Sequence, residues 1–191
     1  MEQGRALIAA AQVTAAQRLK KELERLSLPA CCVSSAQEAR TALEAEDFSM
    51  LLIMLPLPGE GTQLALYAAR NTACAVLLID RAENAEEGSV QKARQSGALF
   101  LPKPLSRERL AMVLEDAAAI HRRIVYLHQE KANLERKMQE IGTVERAKYL
   151  LMQTLGMTEA QAHRLIEKQA MDDRQTRAEV ALRILKTYGN P

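Results

Sequence analysis

At 191 residues, with 48% hydrophobic and 26% charged side chains, the chain has enough apolar material for a sizeable buried core and the balance of an ordinary globular protein. Its formal net charge of +2 is too small to imply nucleic acid by itself, so such a partner would need a local cluster of Lys and Arg. An aromatic share of 3% with no Trp argues against a binder built on stacking platforms and leaves Tyr149 and Tyr188 as the main candidates to meet a base.

From the N-terminus, short apolar runs alternate with helix-patterned segments. Ala6 to Ala10, Ala30 to Val33, Met50 to Leu55, Ala75 to Ile79 and Leu99 to Leu101 have the length of buried strands, while Thr14 to Leu26, Ala36 to Ala45 and Ser89 to Gln95 have helical spacing. Interleaving of this kind predicts an α/β fold, a flavodoxin-like, doubly wound parallel sheet of five strands. Cys31, Cys32 and Cys74 make neither a disulfide framework nor a zinc site and read as buried thiols in strands. The longest apolar run, Met50 to Leu57, falls far short of the roughly 20 residues that span a bilayer, and no charged region precedes an apolar one at the N-terminus, so a cytoplasmic protein is expected.

Two stretches sharpen the fold. Asp47-Phe48-Ser49-Met50-Leu51-Leu52-Ile53-Met54-Leu55-Pro56 resembles the third strand and following loop of the receiver domain of two-component response regulators, and Gly97-Ala98-Leu99-Phe100-Leu101-Pro102-Lys103-Pro104 resembles its fifth strand with the Lys-Pro signature. The resemblance extends over roughly the first 120 residues and implies carboxylates after the first strand to hold Mg²⁺, an Asp at the end of the third to accept phosphate, and a hydroxyl after the fourth to sense it.

This chain departs from that pattern at each position. Alignment through Pro56 puts Leu52 at the acceptor position, alignment through Pro58 would put Met54 there, and neither is a nucleophile. Ala10 and Ala11 replace the acidic pair, Asp80 replaces the switch hydroxyl, and Lys103 is the one residual receiver signature. We take Leu52 as the acceptor position and expect a pseudo-receiver that is not phosphorylated by the ordinary route, with no catalytic residue, no metal site and no cofactor. Lys103 is then either a solvated lysine at a strand end or part of a site for another ligand or partner.

Leu110, Val113, Ala117, Ile120, Ile124, Leu127, Lys131, Leu134, Met138 and Ile141 follow at alternating spacings of three and four, a heptad seam. A stripe this long suits a partner helix, so a parallel homodimeric coiled coil is expected, with every apolar member of the seam at the dimer interface and Lys131 setting register; the alternative is a helix folded back onto its own domain. His121 and His128 read as solvated surface residues, and the coil is expected to fray or bend at Gly142-Thr143, with Thr143 capping the next helix.

After that junction the spacing predicts three short helices sharing one core. Val144, Ala147, Leu151 and Leu155 form the first apolar face and Gly156 stops it; Thr158 and Gln161 box the start of the second, with Met157 stapling onto Ala162; Thr176 and Glu179 box the third, which buries Val180, Ala181, Ile184 and Leu185. Glu145-Arg146-Ala147-Lys148, Leu155-Gly156-Met157-Thr158-Glu159-Ala160-Gln161-Ala162, Lys168-Gln169-Ala170-Met171 and Thr176-Arg177-Ala178-Glu179-Val180-Ala181 resemble, in register, the ANTAR module of transcription antiterminators. That resemblance implies RNA binding through Lys148, Arg164, Lys168, Arg174, Gln175 and Arg177, where charge alone would suggest a solvated face balanced by Glu159, Glu167, Asp172 and Asp173. Tyr149 stands where the family often has a small residue, and either packs or stacks on a loop base.

The expected organisation is therefore a pseudo-receiver over 1–107, a coiled-coil helix over 108–142 and an ANTAR domain over 143–191. Its expected function is to hold tandem stem-loops of a nascent transcript as a dimer and deny a terminator its strand, with a regulatory protein, a ligand or expression level as the control. A DNA-binding response regulator would show a helix-turn-helix instead, and a protein-interaction scaffold would show no nucleic-acid binding. An enzyme is disfavoured, since the chain has no Gly-rich phosphate loop and no nucleophile placed beside a base.

Overall fold

Strands whose residues are apolar without alternation must be buried on both faces, and in the computed structural model, which describes residues 4–58 and 60–189, five such strands pair in parallel. They are β1 (Ala6–Ala10), β2 (Ala30–Val33), β3 (Met50–Met54), β4 (Ala75–Arg81) and β5 (Leu99–Lys103), in the order β2-β1-β3-β4-β5. The register is continuous, with Ala6 opposite both Ala30 and Met50, and Met50 opposite Ala75.

Alternate residues feed two cores. Leu7, Ala9, Leu51, Ile53, Val76 and Leu78 meet α2 (Ala36–Ala45), α3 (Gly61–Asn71) and α4 (Gly88–Gln95) on one face. Ile8, Leu52, Leu77 and Ile79 meet α1 (Val13–Arg25) and the start of α5 (Arg107–Leu155) on the other. Helix α3 is not among the expected elements, although its buried Gly61, Leu64, Ala65 and Ala68 fall at helical spacing; with a glycine and two alanines among the four, that face carries little hydrophobic contrast.

By their contacts the residues divide into two units, Met1–His128 and Gln129–Pro191. The second contains the end of α5, α6 (Glu159–Asp172) and α7 (Arg177–Tyr188), around Ala147, Leu151, Ala162, Ile166, Val180, Ala181 and Ile184. Among the described residues no helix is long and apolar enough to cross a membrane.

Three expectations are corrected. Helix α5 runs unbroken through Gly142-Thr143, because Thr143 turns its hydroxyl back to the Gln139 carbonyl at 2.8 Å, a bond within the helix, and so does not cap a new one. Within the seam, Leu110 and Ala117 are buried in the sheet's core and are not free for a partner helix, while Val113 and Ile120 are partly buried against the same core. His121 is not solvated: its Nδ1 lies 2.7 Å from the Ala73 carbonyl oxygen.

Candidate nucleic-acid interface

The C-terminal unit is assembled by its helix ends. Gly156 takes a left-handed φ of 65° and ends α5. Thr158 and Thr176 each accept a backbone N–H from the third helical residue, and Gln161 and Glu179 return the bond to the cap's own N–H, so both capping boxes are formed. These bonds hold the Glu179 carboxyl below its ordinary range, the Thr176 backbone N–H contributing most. At the other end of α6, Gln175 N–H donates to the Ala170 carbonyl while Arg174 adopts a φ of 52°, the left-handed place that usually belongs to glycine.

These turns place the expected contact residues in three different settings. Lys148, Gln175 and Arg177 line one groove of about 860 Å³ with Lys137, Ile141, Val144, His163, Glu167 and Met171. Arg164 and Lys168 sit one turn apart on the exposed side of α6, away from its buried Ala162, Ile166 and Ala170. Arg174 projects from the α6–α7 turn.

Their charge states differ as much as their positions. The Lys148 side chain is only 9% exposed, and its ammonium sits 2.8 Å from Glu159 and 2.9 Å from Glu145. The hydrogen bonds it donates, to Glu159 first and Glu145 second, raise its pKa, and the contact with Glu159 lowers that carboxyl's. Lys148 thus ties α5 to the first turn of α6, with both carboxylates already matched to its ammonium. Arg177 is paired with Glu167 at 3.3 Å, and His163 approaches the same carboxylate at 3.2 Å. Gln175 accepts from Arg183, which also pairs with Asp173. Arg164, Lys168, Arg174 and Lys137 make no ion pair among the described residues. Sequence inspection missed Lys137, although its spacing to Ile141, Val144 and Lys148 sets all four on one face of α5. Tyr149 is 61% exposed, and its hydroxyl accepts from Gln153.

The cleft at the carboxyl ends of the strands is the other concave site. It is lined by Ala10, Ala11, Met54, Leu55, Thr62, Asp80, Asn84 and Lys103, among others. Leu52 is fully buried in the sheet's interior and does not reach this cleft, while Met54 ends β3 and lines it. Leu52 and Met54 are two residues apart on the same face of β3, and Met54, nearer the strand's carboxyl end, is the one at the cleft, the position that alignment through Pro58 gives the acceptor. Lys103 is half-buried and donates to the Leu55 carbonyl at 3.0 Å.

The ANTAR domain family matches residues 132–185. A curated relative, the transcriptional regulatory protein PdtaR of Mycobacterium tuberculosis, is 41% identical over 103 residues, 53% of this chain and 50% of that protein. The chain therefore spans about half the length of the curated relatives it matches. Among solved structures, a CheY-like receiver domain from Methylobacillus flagellatus is similar at a TM-score of 0.53 with 22% identity, covering 60% of this chain and 98% of that one. The receiver domain of NtrX from Brucella abortus is similar at 0.54 with 21% identity, covering 60% and 98%. Residues 132–185 form an ANTAR domain, and the N-terminal unit has the receiver fold.

Proposed function

We propose that this chain, a receiver-fold protein carrying an ANTAR domain, is an RNA-binding antitermination regulator that acts as a dimer on tandem stem-loops. The observation that carries this reading is the ANTAR match over 132–185 on a unit whose exposed cations, Arg164, Lys168 and Arg174, are unpaired among the described residues. A cation already matched to a carboxylate gains little from a phosphate; an unmatched one releases counterions when it meets one. In this mechanism Arg164, Lys168 and Arg174 hold the phosphates of a hairpin. Gln175 and Arg177 face the loop in the groove, while Lys148 holds the helices that present them.

Dimerisation is supported by a row of exposed apolar residues on α5: Leu127 at 43%, Leu134 at 56%, Met138 at 71% and Ile141 at 64% exposure. Such a row on a free helix is unfavourable in water, and a second copy would cover it in heptad register. Two modules on one dimer make the second hairpin's capture intramolecular, and the stabilised pair withholds its strand from a terminator. In the receiver-fold unit, Ala10, Ala11 and Met54 offer neither metal ligand nor phosphate acceptor, which supports control by something other than phosphorylation.

The test is a gel-shift titration at fixed salt with a two-hairpin leader RNA, a single hairpin and a duplex DNA. Preference for the two-hairpin RNA, lost selectively when the exposed seam is made polar by Leu134→Glu and Met138→Glu, is the expected result. Preference for the duplex would favour a DNA-binding regulator, and no binding at low salt would favour a protein scaffold.

A further inference from the structure

The receiver-fold cleft has lost the groups of phosphoryl chemistry and still has the polarity of a binding site. At about 710 Å³ it falls within the roughly 300–1,000 Å³ usual for small-molecule sites. Part of its lining is apolar, made by Ala10, Ala11, Met54 and Leu55. Two opposite charges, Asp80 and Lys103, share that lining, and neither has an ion-pair partner among the described residues.

Asp80 is 6% exposed; its Oδ1 accepts from the Arg81 backbone and its Oδ2 from Asn84 Nδ2 at 2.9 Å. No cation lies within ion-pair distance of it among the described residues, although a buried carboxylate without one is costly. Lys103 likewise has no carboxylate partner; its single bond to the Leu55 carbonyl leaves two N–H groups of the ammonium to donate. Arg81, opposite Lys103 in the sheet register, adds a second exposed cation at the rim, and Glu87 adds an anion beside Asn84 and Ser89.

The helix ends around the cleft point the same way. Helices α1, α3 and α4 begin at its wall through Gln12, Gly61, Thr62, Glu87 and Ser89, and none of them has a side-chain cap. Ser35, Thr158 and Thr176 cap helices elsewhere in the chain. First-turn N–H groups left without a side-chain acceptor favour an anion brought by something else. The cleft is thus positive toward Lys103 and the starts of α1 and α3, and negative toward Asp80 and Glu87.

We infer that this cleft binds a small α-amino acid with an apolar side chain. Its carboxylate meets Lys103 and the open N-termini of α1 and α3, its ammonium meets Asp80, and its side chain lies on Ala10, Ala11 and Met54. Asp80 and Lys103 sit on adjacent strands one register position apart, Asp80 opposite Pro102 and Lys103 opposite Arg81. They form no ion pair with each other, each side chain bonding elsewhere, and a molecule with two opposite charges on neighbouring carbons can bridge them. A monoanion would leave Asp80 unpaired, and a monocation would leave Lys103 so. This site is independent of the RNA reading.

Isothermal titration of the full chain with L-leucine, L-methionine and L-valine tests it, beside 4-methylpentanoate and 3-methylbutylamine, which are leucine without its ammonium and without its carboxylate. One amino acid is expected to bind, with both analogues weaker by roughly tenfold or more, the usual loss when a charge-assisted hydrogen bond is removed. Asp80→Asn and Lys103→Met are expected to weaken it by a similar factor. If Asp80→Asn does not fold, Ala11→Phe, at an exposed position on the cleft wall, is expected to block binding by filling it. Absence of binding by all three amino acids at millimolar concentration overturns the inference. So does equal binding of 4-methylpentanoate, or affinity indifferent to the substitutions. Any of these outcomes leaves the RNA titration untouched.

Discussion

The two ends of the chain treat their helix termini differently. In the C-terminal unit α6 and α7 close their first turns with reciprocal capping boxes, and the buried Lys148 ties α5 to the start of α6. Around the receiver-fold cleft α1, α3 and α4 start without a side-chain cap, and Asp80 and Lys103 stand without counterions among the described residues. A small helical unit with a short core needs every local bond it can make, because propensity alone does not hold such helices in water. In the doubly wound sheet both faces are buried by helices, and the open polar groups lie in the cleft at the carboxyl ends of the strands.

The largest effect that would test this contrast comes from placing one carboxylate at two neighbouring positions of β3. Leu52→Asp puts an unpaired charge inside the core and should unfold the N-terminal unit, a cost of several kcal/mol. Met54→Asp at the cleft should keep the fold; circular dichroism melts separate the two. Equal damage from both would mean that Met54 is as enclosed as Leu52 and does not open onto the cleft.

Next in size is the loss of a free cation. Arg174→Ala should lower affinity for the two-hairpin RNA by roughly tenfold and reduce the salt slope by about one, since one phosphate contact goes. Arg174→Gly should lose the same affinity while keeping or slightly raising thermal stability, because glycine accepts the φ of 52° without strain. A stability loss in Arg174→Gly would mean that the side chain holds the turn.

Caps come third. Thr176→Ala should destabilise the C-terminal unit by about 1 kcal/mol. Gln12→Ser, which supplies the hydroxyl that α1 lacks, should stabilise the N-terminal unit by less than about 1 kcal/mol and weaken any anion held in the cleft. Stability unchanged in both would erase the contrast.

The smallest effect is a pH dependence. The Glu159 pKa is lowered by Lys148, so its contribution is present above the ordinary value of 4.5 and disappears as pH falls through the lowered one. The Lys148 pKa is raised, so its contribution is full below 10.5 and is lost as pH rises through the raised value. Between these limits stability should be flat with respect to this pair. Lys148→Met should remove both edges while leaving the salt slope of RNA binding unchanged; a smaller slope would make Lys148 a phosphate contact after all.

Much of this molecule is written in local spacing. Strand runs such as Ala6–Ala10 and Ala30–Val33, the boxes at Thr158 and Thr176 and the stop at Gly156 follow from side chains acting on backbone within a few residues, and such signals need no tertiary partner. The ANTAR register was legible for the same reason. What distance in space decides was not. Spacing alone could not tell that Leu110 and Ala117 belong to the sheet's core while Leu134 and Met138 stay exposed, since all four repeat in one heptad pattern. Nor could it tell that Lys148 is enclosed by Glu145 and Glu159 while Lys168 is not. The placement of Asp80 and Lys103 in the lining of one cleft arises only when β4 and β5 lie side by side. Periodicity specifies which face a residue occupies; only packing decides what that face meets, and with it whether a charge is already neutralised or free to bind.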